Sequence, residues 1–176
     1  MKKIIPIVLV VVIAAVAVFA FMGNKAPEAT PYEGTLEDLT SALYEANPVE
    51  FMVGPAVALD LTDVDGLPFY TGLESADGIA EATWSEAMIG SIPYSLVLVK
   101  TAEGADMEAI KDAMFNGINT RKWICVEADQ LRVVSAANVI MLVMANSESA
   151  PGLADKMVES FSANVGELTG ETLSRG

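Results

Sequence analysis

From Ile4 to Gly23 the chain carries no charged or strongly polar side chain. About 20 apolar residues in a helix match a hydrocarbon layer of roughly 30 Å. The segment 1–23 is therefore expected to enter a membrane as an N-terminal transmembrane or signal helix, separate from the domain that folds after it. Two outcomes stay open: an uncleaved single-pass anchor through residues 4–23, or a signal peptide cut near Val18-Phe19-Ala20. Lys2 and Lys3 precede the run, and Lys25 is followed nearby only by acidic residues. The basic bias keeps the amino terminus cytoplasmic and puts the remainder outside, on the cell membrane or secreted if the signal is removed. A lipid anchor would need a cysteine just after the run, but the only one is Cys125.

Eight of the ten basic residues and all 24 acidic ones come after Gly23, leaving that part with a net charge of −16. Nucleic acid is an unfavourable partner for it, since such binding rests on Lys and Arg neutralising phosphates. The same charge keeps an exported domain soluble and opposes docking on an anionic bilayer. With one cysteine there is no internal disulfide, so the domain must be held by its core.

Residues 24–34, "NKAPEATPYEG", combine two prolines with no apolar periodicity and read as an extended tether. The folded domain is expected over 35–168. Leu36, Leu39 and Leu43 recur at helical spacing behind a Thr35 cap, and Pro48 stops that helix. Residues 49–61 are apolar but broken by Gly54 and Pro55, as a broken strand or a covering loop would be, and residues 62–78, rich in Asp and Gly, are expected to form an irregular connection with room for one helical turn. "EATWSEAMI" (81–89) alternates, with Ala82, Trp84, Glu86 and Met88 on one side. "YSLVLVKT" (94–101) is apolar on both faces and reads as an interior strand. Asp106 caps a helix whose stripe is Met107, Ile110, Met114, Phe115 and Ile118. Two β-rich runs over 130–145 turn at Ser135 to Asn138, and a last helix carries Leu153, Met157, Val158, Phe161 and Val165 before Gly166. The tail 169–176 is expected to be disordered.

The order from residue 81 is strand-strand-helix-strand-strand-helix. It predicts an α+β two-layer sandwich, an antiparallel sheet with its helices on one face. It also leaves room for a pseudo-duplication of the strand-strand-helix unit without readable identity.

The chain has no histidine, so Ser-His-Asp and Cys-His mechanisms lose their base and zinc loses its commonest ligand. A phosphate-binding loop, a dinucleotide-binding glycine pattern and a Ser-Lys pair at SxxK spacing are all missing, and no cofactor is expected. Cys125 lies between Ile124 and Val126 in "RKWICVEAD" (121–129) and is expected in the core, with Arg121 and Lys122 pairing with carboxylates. With Gly66 at the sixth position of a calcium loop, Leu61 and Gly72 replace both anchor carboxylates, which excludes an EF-hand. Asp60, Asp63 and Asp65 remain metal candidates, against the simpler reading that they satisfy backbone groups in a solvated turn. Phe69, Tyr70, Trp84 and Trp123 are candidates for an aromatic surface, against the commoner fate of such residues as core.

The stretches "FYTGL" (69–73), "YSLVLVKTAEGADMEAIKDAM" (94–114) and "NTRKWICVEADQLRVVSAANVIMLVM" (119–144), with the closing helix, carry a resemblance over residues 59–162. The chain resembles a bacterial group of short membrane-anchored or lipidated extracytoplasmic proteins of Gram-positive, anaerobe type, classed as a domain of unknown function. The resemblance implies an α+β domain outside the membrane and transfers no catalytic residue. Anchor, tether, patterned domain and missing catalytic groups together lead to the expectation of a tethered, non-enzymatic module binding a protein partner of the cell envelope. A small-ligand or cation sensor using the 60–78 loop and a carboxylate-dependent hydrolase of envelope polymers are the alternatives.

Overall fold

A computed structural model describes residues 30–176. The expected membrane or signal helix, with the tether up to residue 29, lies outside the described residues. Among those described, no helix is long and apolar enough to cross a membrane.

The elements run α1 (Leu36–Ala46), β1 (Val57–Ala58), α2 (Gly66–Thr71), β2 (Ile79–Glu86), β3 (Ser95–Thr101), α3 (Met107–Gly117), β4 (Gln130–Ala136), β5 (Val139–Ala145), α4 (Leu153–Val165) and β6 (Leu173–Arg175). The six strands form one antiparallel sheet in the order β1-β2-β3-β5-β4-β6. The expected α+β class and strand-strand-helix order are thus present. Thr35 caps α1 by accepting from the Asp38 amide, and Asp106 caps α3 by accepting from the Ala109 amide.

The helices, however, lie on both faces of the sheet rather than one. Leu96 and Leu98 of β3, with Met141 and Val143 of β5, pack against α1 and α4 through Leu39, Leu43, Met157 and Phe161. Val97 and Val99, with Ile140 and Leu142, face α2 and α3 through Leu67, Met114 and Ile118. The physical reason is visible in the central strands. Every residue of β5 is buried, and side chains alternate between faces, so each face demands its own cover. At about 1.5–3 kcal/mol for each large apolar side chain buried, neither face could be left to water.

This arrangement also rules out the pseudo-duplication. Taking β2-β3-α3 onto β4-β5-α4 would reverse the strand order, reverse the strand direction and exchange the faces of the sheet. Those three reversals together are an inversion, which no rotation of an L-polypeptide can perform.

Residues 49–61 run along the β2 edge as a broken strand, meeting it at the isolated antiparallel bridge between Val53 and Ala87 and again at the two-residue β1. The tail is not disordered. Residues 173–175 pair with Leu131 to Val133 as β6, which extends the domain past residue 168. The fully buried Lys111 ammonium holds the approach to β6 by donating to the carbonyls of Glu171 at 2.9 Å and Thr169 at 3.4 Å.

The chain enters the domain at one end of the sheet. The Tyr32 amide donates to Asn138 Oδ1 at 2.8 Å, and Lys100 Nζ donates to the Gly34 carbonyl at 3.0 Å. A strand of this length spans on the order of 20 Å. The loops that leave β2 and lead into β3 and β4 therefore gather about that far from the entry point.

Candidate functional site

At this far end, on the α2/α3 face, Lys122 is drawn into the protein. Its Nζ lies 2.6 Å from Glu86 Oε1 at the end of β2, and its side chain is 2% exposed. The same ammonium is 3.3 Å from Ser95 Oγ at the start of β3 and 3.4 Å from the Phe69 carbonyl of α2. Three rings surround it, with centroids at 4.7 Å (Phe69), 5.1 Å (Tyr70) and 5.3 Å (Trp123). Ring faces attract a desolvated cation, so the residue ties the 118–129 loop to α2, β2 and β3 at once. Burial pulls the pKa of Lys122 below its ordinary value, with the Glu86 carboxylate opposing that fall.

The aromatic residues singled out by sequence are thereby brought together. Tyr70 stacks on Trp84 with centroids 4.2 Å apart and an interplanar angle of 13°. Phe69 meets Tyr70 edge-on at 4.9 Å. Burial, then the charges of Glu86 and Asp63, raise the pKa of Tyr70.

What sets α2 in this position is a close backbone approach. Gly72 ends the helix with φ of +79°, a left-handed conformation that glycine adopts without strain. A Cβ added to Gly117, the last residue of α3, would lie 2.9 Å from the Gly72 carbonyl carbon and nearer still to its oxygen. Two glycines thus let α2 sit against the end of α3 and present Phe69 and Tyr70 toward β2.

Beside this cluster runs an exposed apolar band. Val53 and Ala87 pair and turn toward the α1/α4 core. By alternation, Met52 and Met88 fall on the opposite face together with Trp84 and Glu86. Met88 donates its amide to the Met52 carbonyl at 2.8 Å, so the two methionines are neighbours, and each is 63% exposed. Val57 pairs with Trp84 one step further along and is also exposed. Phe69 is 45% exposed. A chain of hydrogen bonds holds the loop that carries Met52: Tyr44 donates to Ser85 at 2.7 Å, and Ser85 donates to the Gly54 carbonyl at 2.7 Å. The aromatic members of this surface stood out in the sequence, whereas Met52 and Met88 did not. The alternation around Met88 was legible, but the partner strand that exposes the pair was not.

Cys125 is exposed, not part of the core, and has φ of +64°. The stretch around it is not extended. The Ala128 amide donates to the Thr120 carbonyl at 2.9 Å, and Arg121 pairs with Glu127 at 3.0 Å, which closes a loop at its neck. Lys122 and Trp123 turn inward from that loop while Ile124, 87% exposed, and Cys125 form its tip.

Asp60, Asp63 and Asp65 are exposed and do not converge on a metal position. Asp60 Oδ1 accepts from the Thr62 amide at 2.9 Å and the Thr62 hydroxyl at 2.7 Å, and the hydroxyl is the larger cause of its lowered pKa. Asp63 Oδ1 accepts from the amides of Asp65 at 3.0 Å and Gly66 at 2.9 Å. Among the described residues, no group of three His, Cys, Asp or Glu is placed to hold a metal ion.

Chemically, the Ser95-Lys122 proximity does not make a hydrolase. Ser95 is fully buried, so no substrate carbonyl reaches its hydroxyl. What the surface offers instead is apolar and aromatic contact area on a braced scaffold. Comparison with protein-family models, curated proteins and solved structures returned no match.

Proposed function

We propose that this chain is a membrane-tethered extracytoplasmic module of the cell envelope that binds a protein partner through the band formed by Met52, Val57, Phe69, Tyr70 and Met88. The carrying observation is the exposure of that contiguous apolar surface at the end of the sheet remote from where residues 30–34 join it. Contiguous exposed apolar patches mark interaction sites in soluble domains. The apolar run at 4–23 and the resemblance to anchored extracytoplasmic proteins support the address. The reading as a cation sensor loses support because Asp60 and Asp63 already spend oxygens on their own turns.

The test is photo-crosslinking of the full chain in its own cells, with the reactive group at Met88 and, as a control, at the exposed Glu103 beyond β3. A discrete adduct from position 88 and none from position 103 is expected. Adducts from neither position, or the same adducts from both, refute the reading. Loss of the chain from the membrane fraction on washing, with the apolar run still present by intact mass, refutes the tether.

A further inference from the structure

The rim of the apolar band is acidic. Asp60, Asp63 and Asp65 lie in the loop between Val57 and Phe69, all three exposed. Asp60 and Asp63 each commit Oδ1 to their own turn, and no hydrogen bond within the described residues engages their Oδ2 atoms. The cation at the centre of the site gives nothing outward, since Lys122 is buried against Glu86. Of the other basic side chains among the described residues, Lys100 pairs with Glu81, Lys111 with Glu108, Arg121 with Glu127 and Arg132 with Asp155, whereas Lys156, on α4 of the opposite face, and Arg175 pair with no carboxylate.

A partner must therefore bring apolar side chains for the band and positive charge for its rim. We propose that the band receives a short segment of a partner protein in which apolar side chains are flanked by lysine or arginine. This rests on the proposed docking at the band and adds the chemistry of what docks. The two methionine thioethers, unbranched and polarizable, adapt to apolar side chains of differing shape, so the charge pattern supplies most of the selection. A second copy is disfavoured by the same argument. Two domains each carrying net −16 after Gly23 would bring acidic rims face to face.

Both tryptophans of the chain, Trp84 and Trp123, lie at the site, so their fluorescence reports its occupancy. Full-length chain in nanodiscs is titrated with a short Leu/Lys peptide and with a Leu/Glu peptide of the same length and apolar content. The Leu/Lys peptide is expected to bind at least about tenfold more tightly, with an advantage that shrinks as salt rises. Phe69→Ala with Met88→Ser should weaken both peptides. Asp65→Asn, which removes no hydrogen bond of the fold, should weaken the Leu/Lys peptide alone. Equal binding of the two peptides overturns the charge inference and leaves the docking reading standing. Binding of neither peptide, with the Met88 adduct still formed in cells, also overturns the inference alone; without that adduct both fall. Self-association abolished by Phe69→Ala with Met88→Ser assigns the band to a second copy and overturns the proposal. Quenching of Trp84 and Trp123 by spin labels in the bilayer assigns it to lipid and does the same.

Discussion

Gly117→Ala tests how the site is positioned, because its sign separates two outcomes. Gly117 is the last residue of α3, where alanine is intrinsically favoured over glycine by up to about 1 kcal/mol. If α2 did not press on this position, the variant would be more stable than the wild type. The added Cβ instead meets the backbone of Gly72, which no rotamer change can move aside. Overpacking of this kind costs about 1–3 kcal/mol. The net expectation is a destabilisation of about 1–2 kcal/mol, or roughly 2–8 °C in Tm for a domain near this size. Urea unfolding gives the free energy, and near-UV circular dichroism reports whether displacement of α2 has unstacked Tyr70 from Trp84. Gly90→Ala, at a position where an added Cβ meets nothing within 4 Å, is the control and should leave both readouts nearly unchanged. A stabilised Gly117→Ala, or a destabilised one with an unaltered near-UV spectrum, refutes the argument that this approach sets the aromatic surface.

Other consequences are more direct. Lys111→Met removes the donor to the Thr169 and Glu171 carbonyls, so the amides of β6 should exchange faster, with a loss on the order of 2 kcal/mol; unchanged protection of residues 173–175 would contradict the pinning role. The Cys125 thiol should react with a disulfide reagent at close to the rate of the unfolded chain, and slow labelling of the native protein would contradict its place at the loop tip. Because burial lowers the pKa of Lys122 in the folded state, the unfolded chain holds more protons between that lowered value and the ordinary lysine value. Stability contributed by this group therefore rises with pH across that window and is lost as pH falls through the folded pKa. Urea titrations should show the rise in the wild type and not in Lys122→Met, and a rise of equal slope in both would be contrary evidence.

Much of the element order was legible because it depends on local period and capping. The two-faced apolar character of 94–101 marked an interior strand, which is β3, and Asp106 and Thr35 cap the helices expected of them. The site was legible only in its parts. Phe69, Tyr70, Trp84 and Trp123 were candidates one by one, but the cation that gathers three of them around itself was indistinguishable from its neighbour. Arg121 and Lys122 are adjacent and both pair with glutamate, yet the Arg121 side chain is 77% exposed and that of Lys122 is 2% exposed. The first is a solvated pair of small energetic weight, and the second braces four elements.

By itself, the sequence determined the apolar run at 4–23, the acidic character of residues 24–176, the absence of histidine chemistry and the succession of strands and helices between residues 79 and 165. Only the tertiary structure decided that α1 and α4 cover one face while α2 and α3 cover the other, that the tail closes the sheet as β6, and that Cys125 faces water. Periodicity tells a strand that both its faces will be buried, but not which helix comes to which face, because that depends on how each connection turns. A loop such as 121–127 takes its inward and outward directions from the Thr120-Ala128 bond at its neck, where alternation no longer applies.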